Sequence, residues 1–204
     1  MRGPAKLFLA SSNPGKLAEY CELASSSASS LTVELALLPR FEALPAFEES
    51  APTFAENAAG KALHYSRLRS GLVFGDDSGL LVPALGGAPG IHSARYGGPQ
   101  ATNSQRIEKL LVELRRKTGT ERAAYFVCAI ALAQRGRAKA IVTDRVDGEI
   151  LEAPRGSGGF GYDSVFHFPA LGKTFAEMPA EEKNQCSHRG KAFRRLLVAL
   201  SSML

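Results

Sequence analysis

The sequence predicts an α/β fold with a mixed sheet, and three observations carry that expectation. Short apolar runs of strand length, at residues 7–10, 31–38 and 72–74, alternate with segments of helical periodicity. Two longer apolar runs, 123–133 and 138–146, flank Gly136 and read as an antiparallel hairpin. Two capping signatures, Thr53 with Glu56 and Thr102 with Gln105, mark helix starts.

Residues 7–10 read as a buried strand, and Ser11-Ser12-Asn13-Pro14-Gly15 as the turn that follows. A helix then opens near Lys16, with Leu17, Tyr20, Cys21 and Ala24 on one face. The serine-rich stretch 25–30 ends it, and 31–38 alternates loosely as a second strand. A loop rich in Pro and Glu spans 39–52, and the Thr53 helix runs to about Arg69, where Gly71 stops it. Strand 72–74 ends in Gly75-Asp76-Asp77-Ser78-Gly79, and 80–85 continues briefly. Residues 86–98 are rich in turns, and the Thr102 helix extends to about Lys117. After the hairpin come a glycine-rich loop, 156–161, and a last amphipathic helix, 187–204. Ala192, Phe193, Leu196, Leu197 and Leu200 form that helix's apolar side. No repeat or linker divides the chain, so residues 1–204 are read as one domain.

At 45% hydrophobic and 22% charged residues, the composition is that of an ordinary globular protein. A net charge of +5 favours anionic partners or is simply a solvated surface. There is no dense basic stripe with interleaved aromatics, so nucleic acid is not an expected partner. Arg115, Arg116 and Lys117 suit a helix C-terminus without any ligand. The three cysteines, Cys21, Cys128 and Cys186, are odd in number and far apart, which argues against a disulfide framework and for a reducing compartment. Cys21 and Cys128 lie in apolar segments and are expected in the core. The apolar stretch 7–10 is too short for a signal segment, and no run reaches membrane-span length, so a cytoplasmic protein is expected, with no membrane partner.

Four polar clusters fall at strand ends or in glycine-rich loops, where α/β proteins keep ligands. The turn Ser11 to Lys16 reads either as a plain strand-turn-helix connection or as a phosphate cradle, with helix amides and Lys16 as donors. It lacks the glycine spacing of a Walker A loop. Asp76-Asp77 reads as an Asp-rich turn or as a magnesium site, because adjacent carboxylates repel without a cation between them. Glu48-Glu49 offers a further ligand or is a solvated loop. Gly158-Gly159-Phe160-Gly161-Tyr162-Asp163 reads as a turn with a core Phe or as a stacking surface for a base. Lys183, with Ser187, His188 and Arg189 at a helix start, reads as surface or as a set of donors to carbonyl or phosphate.

Taken together, six stretches resemble one family. They are Ser-Ser-Asn-Pro-Gly-Lys (11–16), Thr-Phe-Ala-Glu-Asn-Ala (53–58), Asp-Asp-Ser-Gly-Leu (76–80) and Gly-Gly-Ala-Pro-Gly-Ile-His-Ser-Ala-Arg-Tyr (86–96). The others are Gly-Ser-Gly-Gly-Phe-Gly-Tyr-Asp (156–163) and the segment 173–192, which contains Ser-His-Arg-Gly. In this order, over nearly the whole chain, they resemble the inosine triphosphate pyrophosphatases. Ser12 stands where that family commonly has Gly, and Ser164 where it usually has Pro.

The resemblance implies an elongated two-lobed fold, with a central mixed sheet flanked by helices, a cleft between the lobes, and a homodimer. It also implies Mg²⁺-assisted hydrolysis of ITP, dITP and XTP to the monophosphate and pyrophosphate. On that resemblance Ser11, Ser12, Asn13, Pro14, Gly15 and Lys16 hold the triphosphate, with Ser78 and Lys183 as further contacts. Asp77, helped by Asp76, accepts the proton of the attacking water, and Glu49 and Asp77 ligate the metal. Phe160, Gly161, Tyr162, Asp163, His188 and Arg189 form the base pocket. Lys16 and Lys61 offset charge on the leaving group. Donors from His188 or Arg189 would favour a 6-oxo over a 6-amino purine.

Overall fold

In the computed structural model, which describes residues 4–11, 13–26 and 31–203, the chain opens with a βαβ unit. β1 (Ala5–Leu9) leads into α1 (Pro14–Ser25) and then β2 (Val33–Leu37), which pairs parallel to β1 from Ala5↔Val33 to Leu9↔Leu37. α2 (Phe54–Leu68) precedes β3 (Leu72–Leu81), which takes the other side of β1, also parallel, with Leu7 opposite Leu72. α3 (Asn103–Glu113) leads to β4 (Ala123–Gln134) and β5 (Arg137–Ile150), joined through Arg135 and Gly136. β6 (Phe166–Phe168), β7 (Lys173–Thr174), α4 (Ala180–Cys186) and α5 (His188–Ser201) complete the described chain. The strands form one seven-stranded sheet in the order β2-β1-β3-β4-β5-β6-β7. β5, β6 and β7 pair antiparallel, so the sheet is mixed, as the sequence predicted.

The chain divides into two compact units. The first comprises Met1–Asp77, Cys128–Asp144 and Arg189–Leu204. Its core gathers Leu7, Leu9, Tyr20, Phe74, Ile130 and Leu132 with the α5 stripe Phe193, Leu196, Leu197 and Leu200. The spacing of that stripe is the 3.6-residue periodicity of a helix with one buried face. The second unit comprises Ser78–Val127 and Arg145–His188. Leu80, Ile107, Leu110, Leu114, Phe126, Ile150, Phe166 and Phe175 pack together there. Within it the buried Arg122 guanidinium donates to the carbonyls of Ile150 (2.6 Å), Leu114 (2.9 Å), Lys117 (3.3 Å) and Leu151 (2.8 Å). Its removal takes a charged donor from each of these carbonyls, although Leu114 keeps the Lys117 amide at 2.9 Å. Arg122→Ala should therefore lower the unfolding free energy by about 2–4 kcal/mol, read from the urea midpoint. An unchanged midpoint would mean that water replaces the guanidinium at no cost.

Local signals placed the helix starts well. Thr102 and Gln105 form a full capping box, whereas the Thr53 hydroxyl accepts from the Glu56 amide and bonds the Glu56 carboxylate instead of sharing it with an amide. Other expectations need correction. The α3 helix ends at Glu113, not near Lys117. Cys21 is exposed, because Tyr20 and Leu23 take the inward positions of α1; Cys128 is buried as expected. The acidic pair does not sit in a turn beyond a short strand. β3 runs unbroken for 10 residues through Gly75, Asp76 and Asp77. Gly75 allows this because α2 crosses the strand closely: a Cβ there would stand 2.9 Å from the Ala58 carbonyl.

Candidate active site

In the first unit α1 begins at the turn after β1. Asn13 caps it, its Oδ1 accepting from the amides of Gly15 (2.9 Å) and Lys16 (3.3 Å), while Ser11 Oγ accepts from Asn13 N (3.0 Å). Two of the amides expected to face phosphate are thus engaged by Asn13. Ser12 lies outside the described residues, and of Pro14 only the backbone is described. The Lys16 side chain turns back over the sheet and its Nζ donates to Asp76 Oδ1 at 3.0 Å.

Asp76 and Asp77 follow one another on β3 in contrasting surroundings. Asp76 is fully buried, with Lys16 at 3.0 Å, the Arg189 Nε at 3.6 Å, and its own carbonyl accepting from Lys61 Nζ at 3.0 Å. Arg189 is buried as well and donates from Nη1 to Glu19 Oε2 at 2.6 Å. Burial pushes the Asp76 carboxyl up, but Lys16, Arg189 and Lys61 together overcome it and hold it well below the usual range.

Asp77 is 7% exposed and accepts from Asn57 Nδ2 at 3.0 Å. Burial, then the negative charge of Glu49, raise its carboxyl to about 6 against the opposing influence of Lys61 and Asn57. Lys61 forms an ion pair with Glu49, and although burial works against its charge, Asp76 and Glu49 raise its pKa. Asn57 and Lys61 are four residues apart on α2, so one helix face delivers both to β3. Asn57 Oδ1 accepts from the Ala51 amide (2.9 Å), which fixes the orientation of the Asn57 amide.

In the second unit the glycine-rich loop folds around Asp163. Its Oδ2 accepts from Phe160 N and from Lys183 Nζ, each at 2.8 Å. The Lys183 ammonium lies 5.0 Å from the Phe160 ring centroid, and the ring is 41% exposed. Gly159 has φ 67°, and a Cβ there would stand 2.1 Å from Asp163 Oδ2, so only glycine fits. His188 stacks on Phe126 at 4.7 Å. Ser78 is half-buried on β3.

Sequence reasoning and structure differ at three of these residues. Tyr162 is a core side chain whose hydroxyl donates to the Ser93 carbonyl at 2.9 Å, so it does not line an open face of the loop. Arg189, expected to present an open fork at a helix start, has that fork committed to Glu19 and Asp76. Asn57 was not among the expected site residues, although it lies in the 53–58 motif. A polar side chain on the inward face of an amphipathic helix was the available signal.

Two adjacent strand carboxylates beside the half-buried Lys16 and the buried Lys61 are an arrangement that α/β proteins can use to meet cations and phosphates. The chain is a member of the Ham1 family, whose sequence profile matches residues 7–199. It is 48% identical over 191 residues to a dITP/XTP pyrophosphatase of Geobacillus kaustophilus, covering 94% of this chain and 92% of the relative. It is 48% identical over 195 residues to a dITP/XTP pyrophosphatase of Gloeobacter violaceus, covering 96% and 94%. Among solved structures, a HAM1 protein from Coxiella burnetii superposes with a TM-score of 0.84 at 39% identity, covering 97% of this chain and 99% of that one.

Proposed function

We propose that the protein hydrolyses deaminated purine nucleoside triphosphates, dITP, ITP and XTP, to the monophosphate and pyrophosphate, with Mg²⁺ as cofactor. Family membership and the relatives' names support the reaction class. The observation that carries the chemistry is the split between the two carboxylates on β3. Asp76 is locked as an anion, while Asp77 is tuned to about 6, near the range where a carboxylate can take a proton from water.

The donors fit a divalent cation. Glu49 and Asp77 are two carboxylates close enough for one to raise the other's pKa. Magnesium needs few protein ligands, because water and phosphate oxygens complete its shell. Mg²⁺ held by Glu49 and Asp77 would offset negative charge on the polyphosphate. Asp77 orients a water and takes its proton as the water oxygen bonds to the α-phosphorus. The bond from that phosphorus to the β-bridging oxygen breaks, and pyrophosphate leaves. Asn57 fixes the Asp77 carboxylate, and Lys16 and Lys61 supply positive charge near the leaving group. Asp76 holds the two lysines, and Arg189 holds Asp76 instead of reading the base. Ser11, Asn13 and Ser78 complete the phosphate contacts, and Gly15, its amide held by Asn13, shapes the turn; Phe160, Gly161, Asp163, Lys183 and His188 serve the base.

On this reading the whole chain is one functional domain, acting as a cytoplasmic homodimer, as the resemblance to inosine triphosphate pyrophosphatases suggests. Among the described residues no helix is long and apolar enough to cross a membrane.

A substrate panel with and without Mg²⁺, following monophosphate, pyrophosphate and orthophosphate separately, tests the proposal. Orthophosphate plus diphosphate as products, or pyrimidine triphosphates outrunning dITP and XTP, would overturn it. Phe160→Ala should raise the KM for dITP by about 5- to 100-fold, with a smaller change in kcat, as expected for loss of a base-stacking ring. An unchanged KM would remove Phe160 from the base site.

A further inference from the structure

At the opening end of β3, within the first unit, a second basic feature plays no part in the chemistry above. A pocket of about 400 Å³ is lined by Ser66, Arg67, Leu68, Arg69 and Ser70, from the end of α2, and by Arg135 from the β4–β5 turn. The pocket is built by docking. Ser66 Oγ accepts from Gly136 N at 3.0 Å, and the Arg67 stem lies so close to Gly136 that a Cβ there would meet its Cγ at 2.7 Å.

Three arginines therefore line one concavity, and among the described residues none of them forms an ion pair with a carboxylate. Among the described residues the Arg69 side chain makes one long hydrogen bond, from Nη2 to the Pro39 carbonyl at 3.5 Å, and its Nε is buried without a partner there. Arg135 adopts φ 50°, a left-handed conformation that a hairpin turn normally reserves for Asn or Gly. A large cation held there at a backbone cost, beside two others, is a poor solution for stability alone. The C-terminal end of α2 adds some favourable field for arginines, but one would suffice for that.

We propose that this pocket binds a small polyvalent phosphate, free or borne on a nucleotide, at a site separate from the acidic pair. Asp77 lies roughly 17 Å further along the strand at ~3.3 Å per residue. Guanidinium forks match the paired oxygens of a tetrahedral phosphate, and several are needed to hold a multiply charged one in water. The proposal is independent of the assignment of Asp77.

The amide resonances of residues 66–70 and 135–136 report binding directly. They are followed during titration with inorganic pyrophosphate, and in a second arm with dIMP, at constant ionic strength and without divalent metal. Saturable shifts at these amides are expected in at least one arm, and the arm that saturates identifies the source. In the Arg67→Gln/Arg135→Gln variant the affinity should fall by at least about tenfold, with dITP turnover unchanged. Arg135→Gly relieves the left-handed backbone, so it should fold at least as stably as the parent while binding the anion more weakly. Shifts that fail to saturate in both arms, or equal affinity in Arg135→Gly, would overturn the proposal.

Discussion

Asp77→Asn should lower kcat by a factor on the order of hundreds or more and at the same time stabilise the metal-free fold. The first effect follows from losing the carboxylate that takes the water's proton and a ligand for the cation. The second follows from burial. The folded carboxyl sits near 6 against an ordinary value of 3.8, so the folded protein binds that proton more tightly than the unfolded chain. Its contribution to stability is fully present below pH 3.8 and is lost as pH rises through 6. Near neutrality the ionised form then opposes folding by about 3 kcal/mol. Asparagine carries no charge and can still meet Asn57, so in EDTA at pH 7 the variant should unfold at higher urea than the parent. Mg²⁺ should raise the Tm of the parent and leave the variant's little changed. Near-normal turnover would remove Asp77 as base, and a variant no more stable in EDTA would show that burial does not charge the site as argued.

Asp76 must behave in the opposite sense. Its pKa is depressed, so its contribution is present above the ordinary carboxylate range and is lost only as strong acid protonates it. A pH series of urea midpoints on metal-free protein should therefore fall between about pH 4 and pH 6 from Asp77, a slope that Asp77→Asn abolishes. Activity should also fade below about pH 6, and added Mg²⁺ should move that limb to lower pH by competing with the proton.

How much of this was legible follows from how local each signal is. Thr102 and Gln105 act within one turn, so a four-residue pattern located their helix start. The apolar faces of α1 and α5 were visible in their spacing, although in α1 the choice between Tyr20 and Cys21 depended on how the helix is rotated against the sheet. The strand nature of Gly75, Asp76 and Asp77 was hidden, because a glycine followed by two aspartates is turn chemistry until α2 is known to press against it. β6 and β7 are only 3 and 2 residues long and carry no periodicity to read. The carboxylates and lysines of the candidate site were legible as types, but the partners that tune them were not. Glu19 meets Arg189 across 170 residues of sequence, a distance over which spacing says nothing.

That distant pair supports the second large effect. Arg189→Met should lower the unfolding free energy by about 3–5 kcal/mol, because it leaves Glu19 and Asp76 as buried charges without their shared counterion. The guanidinium lies within 2.6 Å of Glu19 and 3.6 Å of Asp76, and it is 2% exposed, so water cannot take its place. Removing the matching charge should relieve part of the loss. Glu19→Gln/Arg189→Met should recover more than about 1 kcal/mol relative to the single variant, the sign of coupling in a double-mutant cycle. Activity should follow a different course. Without Arg189 the Asp76 carboxylate is left to Lys16 and Lys61, so both lysines are held more strongly away from phosphate, and kcat should stay depressed even where stability recovers. If Glu19→Gln/Arg189→Met regained full turnover along with stability, Arg189 would be a structural strut only. If Arg189→Met changed dITP-to-dATP selectivity while leaving the urea midpoint intact, the guanidinium would be reading the base after all.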